Sequence, residues 1–269
     1  MFRRQSEADT AVGRFDWLSV ALLLGAVILV YYLVPLVSLV VSQPPGEIAR
    51  RLTDPDVVSA ATTSMTAAVA STAIGTVFGL PLAYWLARTD SQVKTFVTPL
   101  VLLPLVLPPV VSGMVLLTVV GPQTFLGELG ARSGLPLTRS LLGVVLAQTF
   151  VASPFVIVTA KAAFESVDGG LEYASQSLGK SRLTTFRKIT LPLAWPGILA
   201  GITLAFARAI GEFGATIMLA YYPRTMPVQI WVSFSTLGLE RAFPVAVILL
   251  GIAVATLVVL NALNTNPLE

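Results

Sequence analysis

Two ionisable residues, Arg208 and Glu212, stand four apart inside an otherwise apolar run towards the carboxyl terminus. On a helix, residues at that spacing share a face and can pair. An ionisable side chain near mid-membrane costs roughly 2.5 to 3.5 kcal/mol on insertion scales, so such residues sit paired or beside a wet cavity. The pair therefore reads either as an ion pair locking the bundle or as the wall of a path for hydrated anions. A second polar cluster lies just upstream. The stretch Gly169 to Pro192 carries Glu172, Lys180, Arg182, Arg187 and Lys188 between two long apolar runs, and so many charges keep it out of lipid. Within it, Ala174 to Ser181 (Ala-Ser-Gln-Ser-Leu-Gly-Lys-Ser) matches a relaxed phosphate-loop pattern with alanine in place of the first glycine. A phosphate loop joins a strand to a helix within its own α/β sheet, and only about thirty residues separate the flanking apolar runs, too few for a nucleotide-binding domain.

Several kinds of chemistry are excluded outright. The chain has no histidine and no cysteine, which removes disulfides, thiolate and imidazole catalysis and most zinc sites, so neither a catalytic nor a metal site is expected. An intramembrane hydrolase would be left with Ser or Thr beside a lysine or a carboxylate pair, yet the lysines, at 94, 161, 180 and 188, all lie at the edges of apolar runs. A secondary transporter driven by an ion gradient needs titratable groups in several spans. Only Arg208 and Glu212 lie clearly inside one.

The elements that must position these residues are membrane helices. The chain has 269 residues, 55% of them hydrophobic and 12% charged, against about 25% charged in ordinary soluble domains. Its mean hydropathy is +0.83. The apolar runs predict an all-α, polytopic membrane protein of six spans. The first, Trp17 to Val41, is too long for a cleaved signal peptide. The second, about Ala60 to Leu86, carries a small-residue stripe of Ser64, Ala68, Ser71, Gly75 and Gly79 suited to close helix packing. The third, Phe96 to Val120, holds Pro99, Pro104, Pro108 and Pro109, so backbone hydrogen bonds must be missing in its middle. Leu141 to about Ala160 is the fourth, about Pro196 to Ala220 the fifth, with a small-residue stripe at Gly201, Ala205 and Ala209, and Phe243 to Leu263 the sixth. Residues 1–16 form a polar stub, 17–264 the membrane domain, and 265–269 a tail.

The charged stretch itself predicts two short helices. Leu171, Ala174 and Leu178 make one apolar stripe, Gly179 offers a left-handed helix end, Ser181 can cap a second helix through Leu183, Phe186 and Ile189, and Pro192 ends it. With an even number of spans both termini share a side. Placing them inside puts Arg3, Arg4, Arg14, Arg88, Arg182, Arg187 and every lysine in the cytoplasm, against Arg50, Arg51, Arg132, Arg139, Arg224 and Arg241 outside. That bias follows the positive-inside rule and turns the two-helix knuckle Gly169 to Pro192 to the cytoplasm.

The knuckle resembles the coupling loop of ABC importer permeases. That family's pattern runs from a Glu-Ala-Ala cluster to a glycine and then, after nine residues, to Ile-x-Leu-Pro. Here Gly179 is followed after nine residues by Ile189, with Leu191 and Pro192 completing the motif. The front half departs, since Tyr173 holds the usual glutamate position, Glu172 lies one residue before it, and Ala174 and Ser175 stand for the two alanines. Pro104 to Gly113, Ala207 to Thr216 and Arg224 to Ile230 are similar to blocks of the molybdate/tungstate and sulfate permeases. Related permeases for other small anions, iron or thiamine share parts of these blocks, which leaves the cargo open.

The resemblance implies a type I importer permease fold with a cytoplasmic coupling-helix loop at 165–195. It implies no cofactor and no ATPase site of its own, because ATP is used by a partner ATPase subunit. It assigns ATPase coupling to Glu172, Tyr173, Ala174, Leu178, Gly179, Lys180, Ser181, Arg182, Ile189, Leu191 and Pro192. Pro108, Pro109, Ser112, Arg208, Glu212 and Gly214 fall to the translocation pathway or its gate. The expected partners are the ATPase, an extracytoplasmic substrate-binding protein at loops around 43–56, 121–139 and 221–242, a second permease copy and membrane lipid, with no nucleic acid.

Overall fold

The computed structural model describes residues 5–264, with side chains described for 17–259 and 262. The expected tail, 265–269, lies outside them, as do Arg3 and Arg4. The chain divides after Ala49 into two compact units. The first is dominated by helix α1 (Gln5–Val41), which already includes residues 5–16 of the expected stub. Its stretch Trp17–Val41 is apolar all round, the pattern of a helix in contact with lipid. Helix α2 (Pro45–Leu52) follows.

The second unit begins with α3 (Pro55–Arg88), started by Asp54, whose side chain accepts from the Asp56 amide, and by Pro55 in the first turn. Then come α4 (Val93–Val106), α5 (Pro109–Val120), α6 (Phe125–Arg132) and α7 (Leu141–Ser166). The knuckle supplies α8 (Gly169–Ser177), α9 (Arg182–Thr185) and a π-helical turn at Phe186–Thr190. Helices α10 (Leu191–Ile210), α11 (Gly214–Leu219), α12 (Met226–Leu237) and α13 (Leu239–Asn264) complete it. No strand occurs among the described residues.

The core is the triple contact of α3, α7 and α10. The small residues expected to line α3, Ser64, Ala68, Ser71, Gly75 and Gly79, are all buried. A Cβ on Gly75 would stand 3.3 Å from Ser153 Cβ and one on Gly79 2.9 Å from Ile157, so α3 and α7 pack almost backbone to backbone. Gly201 does the same for α10, where a Cβ would overlap the Thr159 hydroxyl of α7. At the knuckle end the core holds Ala83, Leu86, Phe164 and Ile198, and at the opposite end Ala147, Val151, Ala215 and Leu219.

Five helices are long and apolar enough to cross a membrane, or six where α4 and α5, a pair bent by 118°, count as one span. Val97 and Val101 of α4 pack at the knuckle end, whereas Leu116, Leu117 and Val120 of α5 pack at the opposite end. The pair thus joins the two ends through an elbow at Leu107 and Pro108, where consecutive prolines at 108 and 109 lack amide donors.

Three expectations need correction. Pro192 does not end a helix: Arg182–Ile210 is one continuous apolar helix, with Pro192 in the first turn of α10. The π turn makes this possible by shifting the ladder, so that the Leu191 amide donates to Phe186 O just before the residue that has no donor. The fifth span is not a single helix from Pro196 to Ala220, because it breaks between Ile210 and Gly214. The connections expected as open loops contain α2, α6 and α12, of which α6 starts on Thr124, whose hydroxyl accepts from the Gly127 amide. Gly238, at φ +86°, reverses the chain from α12 into α13, a conformation that favours glycine.

Candidate functional site

The knuckle is built by three local devices. Asp168 caps α8 by accepting from the Gly170 amide at 2.8 Å. At the other end Gly179 takes φ +78° in a Schellman turn: its amide donates to Gln176 O at 2.9 Å and that of Lys180 to Ser175 O at 3.2 Å. Ser181 then caps α9 by accepting from the Thr184 amide. A hydrogen bond of 2.9 Å between the hydroxyls of Ser175 and Thr185 ties α8 to the end of α9. The resulting V leaves apolar groups in the open. Leu178 is 80% exposed and Tyr173 74%, with Leu171 and Leu183 about half exposed.

Glu172 points the other way, into the protein. Its Oε1 accepts from Arg88 Nη2 at 2.8 Å and from Thr190 Oγ1 at 2.7 Å, and its Oε2 accepts from Arg88 Nε at 3.2 Å. Arg88, the last residue of α3, also donates from Nη2 to Val167 O at 3.3 Å. Burial pushes the Glu172 carboxyl up, but the hydrogen bonds from Arg88 and Thr190 and the Arg88 charge outweigh it and hold it below the ordinary carboxylate value. Beside this clasp, Tyr84 of α3 meets Phe164 of α7 and Phe186 of the π turn edge to face, and those two rings lie tilted against each other, with centroids 4.9 to 6.1 Å apart.

The second cluster lies where α10 gives way to α11. Arg208 and Glu212 pair as expected, but not along one helix: α10 ends at Ile210, and Glu212 sits in the break. There its Oε1 accepts from the Ala215 amide at 2.8 Å, capping α11, while Oε2 contacts the Arg208 guanidinium. Gly211 at the C-cap ends the helix between them. Glu212 is buried, and Arg208 keeps part of its side chain exposed. The elbow of α4 and α5 packs on this same break. A Cβ on Gly214 would stand 2.7 Å from Pro109 Cβ, and one on Gly113 would stand 2.8 Å from Ala215 O.

The residues singled out from sequence therefore fall into two separate groups. In the knuckle, Tyr173, Ala174, Leu178, Gly179, Lys180, Ser181 and Arg182 are exposed, while Leu191 packs on the core and Ile189 is half-buried. Pro192 lies exposed in the first turn of α10. At the break, Pro109, Gly214, Glu212 and Arg208 come together; Pro108 is exposed at the elbow and Ser112 is buried in α5. Sequence reasoning missed Thr190 and the aromatic trio, and it counted Arg88 only as a loop charge. Nothing local links residue 88 to residue 172; only the fold brings them together.

Comparison with known proteins agrees with this architecture. The model of the family described as binding-protein-dependent transport system inner membrane component matches residues 75–265. A probable molybdenum ABC transporter permease of Haloferax volcanii is 58% identical over 253 residues, covering 94% of this chain and 93% of the relative. The molybdate/tungstate transport system permease WtpB of Pyrococcus furiosus is 38% identical, covering 92% and 96%. A probable sulfate permease of Chlorella vulgaris is 35% identical, covering 80% and 83%. Among solved structures, a bacterial ABC transporter that imports alginate superposes with a TM-score of 0.70 at 18% identity, covering 98% of this chain and all of that one. The MetNI methionine transporter gives 0.63 at 17%, covering 78% and 94%. With up to six candidate spans, a knuckle between the fourth and fifth, and these relatives, the chain belongs to the inner-membrane permeases of binding-protein-dependent ABC transport systems.

Proposed function

We propose that this chain is the permease subunit of an ATP-driven importer for a tetrahedral oxyanion, with molybdate or tungstate ahead of sulfate. The observation that carries the coupling half of this reading is the knuckle. An apolar face of Leu171, Tyr173, Leu178 and Leu183 stands exposed on a segment too charged for lipid, which is what a cleft on a partner ATPase requires. The cargo reading rests on the relatives' names, which include a probable molybdenum permease and a molybdate/tungstate permease at higher identity than a probable sulfate permease.

In this reading the chain sits in the cell membrane with both termini and the knuckle in the cytoplasm, on the basic-residue bias. Two copies form the pathway. A substrate-binding protein docks on the outer segments that carry α2, α6 and α12. ATP binding closes two ATPase subunits, draws the two knuckles together and tilts the spans so that the gate opens outward. The elbow at Pro108 and Pro109 and the break at Glu212 are the discontinuities at which such a tilt changes the path. The chain hydrolyses nothing itself.

The test is purification of the tagged protein from native membranes in mild detergent, beside a Gly179→Val variant. Nothing lies within 4 Å of a Cβ at Gly179, so the variant suffers backbone strain of about 1–2 kcal/mol at φ +78° without a clash. Co-purifying ATP hydrolysis that is lost in the variant supports the reading, with molybdate, tungstate and sulfate uptake then compared in vesicles. If no ATPase accompanies either form, or if the variant takes up oxyanion at the wild-type rate, the coupling assignment is wrong.

A further inference from the structure

On α8, whose other residues apart from Gly169 and Ser175 are exposed, Glu172 is 12% exposed and its carboxylate is taken up by this chain's own groups. Three hydrogen bonds from Arg88 and Thr190 occupy both oxygens, which leaves little acceptor capacity for a partner protein. The donors come from two different helices. Arg88 is the final residue of α3, and Thr190 closes the π turn that leads straight into α10. A two-pronged guanidinium–carboxylate pair fixes angle as well as distance. The aromatic trio of Tyr84, Phe164 and Phe186 braces the same place, and the link between Ser175 and Thr185 stops α8 from opening away from α9.

We propose that Arg88, Glu172 and Thr190 form a rigid joint through which α8 moves α3 and α10 as one body, so that Glu172 acts on the permease's own helices and not on the ATPase. The proposal rests on the importer reading above. All three are positioning residues. Without the joint, α8 would keep its tie to α9 through Ser175 and Thr185 but lose its direct tie to the end of α3, so a pull on the knuckle would reach α10 without moving α3 with it.

The experiment uses the full permease with its partner ATPase and binding protein in proteoliposomes, with molybdate as cargo. In Glu172→Gln and Arg88→Gln the ATPase still co-purifies, while oxyanion taken up per ATP hydrolysed falls about tenfold, within the usual range of a coupling free energy. The double variant falls no further than either single one, since both remove the same joint. Thr190→Val removes one hydrogen bond and keeps the ion pair, so it gives a smaller fall from a folded protein. Because the chain has no cysteine, spin labels introduced by Ser91→Cys and Ser177→Cys report α8 against the end of α3 directly. Their separation stays fixed when ATP is added to otherwise wild-type complex and changes in Glu172→Gln. Uptake per ATP at the wild-type level in Glu172→Gln overturns the joint, and so does a label distance that shifts in the wild-type background. Loss of the ATPase from Glu172→Gln but not from Arg88→Gln makes Glu172 a docking contact and overturns it equally. A wild-type chain that binds no ATPase overturns the importer reading itself, and the joint's role with it.

Discussion

Gly214 and Pro109 touch so closely that a single added carbon on the glycine would stand 2.7 Å from the proline Cβ and 2.9 Å from the Val110 amide nitrogen. The break in the fifth span and the elbow in the third are therefore one place in the molecule. Both neighbours of that missing Cβ belong to rigid backbone or to a ring, and neither can turn aside.

Gly214→Ala should accordingly destabilise the protein by about 1–3 kcal/mol, the usual cost of overpacking a filled site. Thermal unfolding in detergent measures it. A transition temperature equal to wild type would show that α5 and α11 can separate freely.

Glu212 has two tasks that substitutions can part. Glu212→Ala removes the partner of Arg208 and the cap of α11, and should cost about 2–4 kcal/mol, because the carboxylate is buried and the guanidinium is left without it. Glu212→Gln keeps an acceptor for the Ala215 amide and should cost clearly less. Equal losses in the two variants, read by the same unfolding assay, would mean that the cap contributes nothing.

Leu178 is 80% exposed, so Leu178→Asp should leave stability within about 0.5 kcal/mol of wild type while abolishing co-purification of the ATPase. Retained ATPase at wild-type stoichiometry would place the docking face elsewhere.

The Glu172 clasp also predicts a direction with pH. Its carboxyl is held below the ordinary value in the folded protein, so its contribution is fully present above the unfolded carboxylate range and fades as pH falls through the lowered value. Protection of residues 168–190 against hydrogen exchange, taken relative to the intrinsic rate at each pH, should therefore be high at neutral pH and fall only in acid. In Arg88→Gln the fall should begin at higher pH. A profile unchanged by that substitution would mean that the arginine does not set the Glu172 titration.

Much of this fold could be read from sequence because the periodic signals are local. The stripe from Ser64 to Gly79 announced a close helix contact on α3, though not its partner α7, and Gly179 and Ser181 announced both helix ends in the knuckle. The failures came where backbone geometry overrides a residue's usual habit. Pro192 normally stops a helix, but the π turn ahead of it changes which carbonyl is answered. The spacing of Arg208 and Glu212 foretold their pairing, yet Gly211 ends α10 between them and the pairing survives across the break. The clasp was invisible for a different reason. Its members lie at positions 88, 172 and 190, and no periodicity connects residues that only the assembled bundle makes neighbours.

The unbroken helix from Arg182 to Ile210 runs from the knuckle to the break that holds Glu212. At 1.5 Å per residue its 29 residues make a stiff rod of about 43 Å. A rotation of about 10° at the knuckle carries the far tip roughly 7 Å on that length. Had Pro192 stopped the helix, the same rotation would have been absorbed in a hinge near the surface. The π turn is thus what makes one lever of the knuckle's second helix and the fifth span.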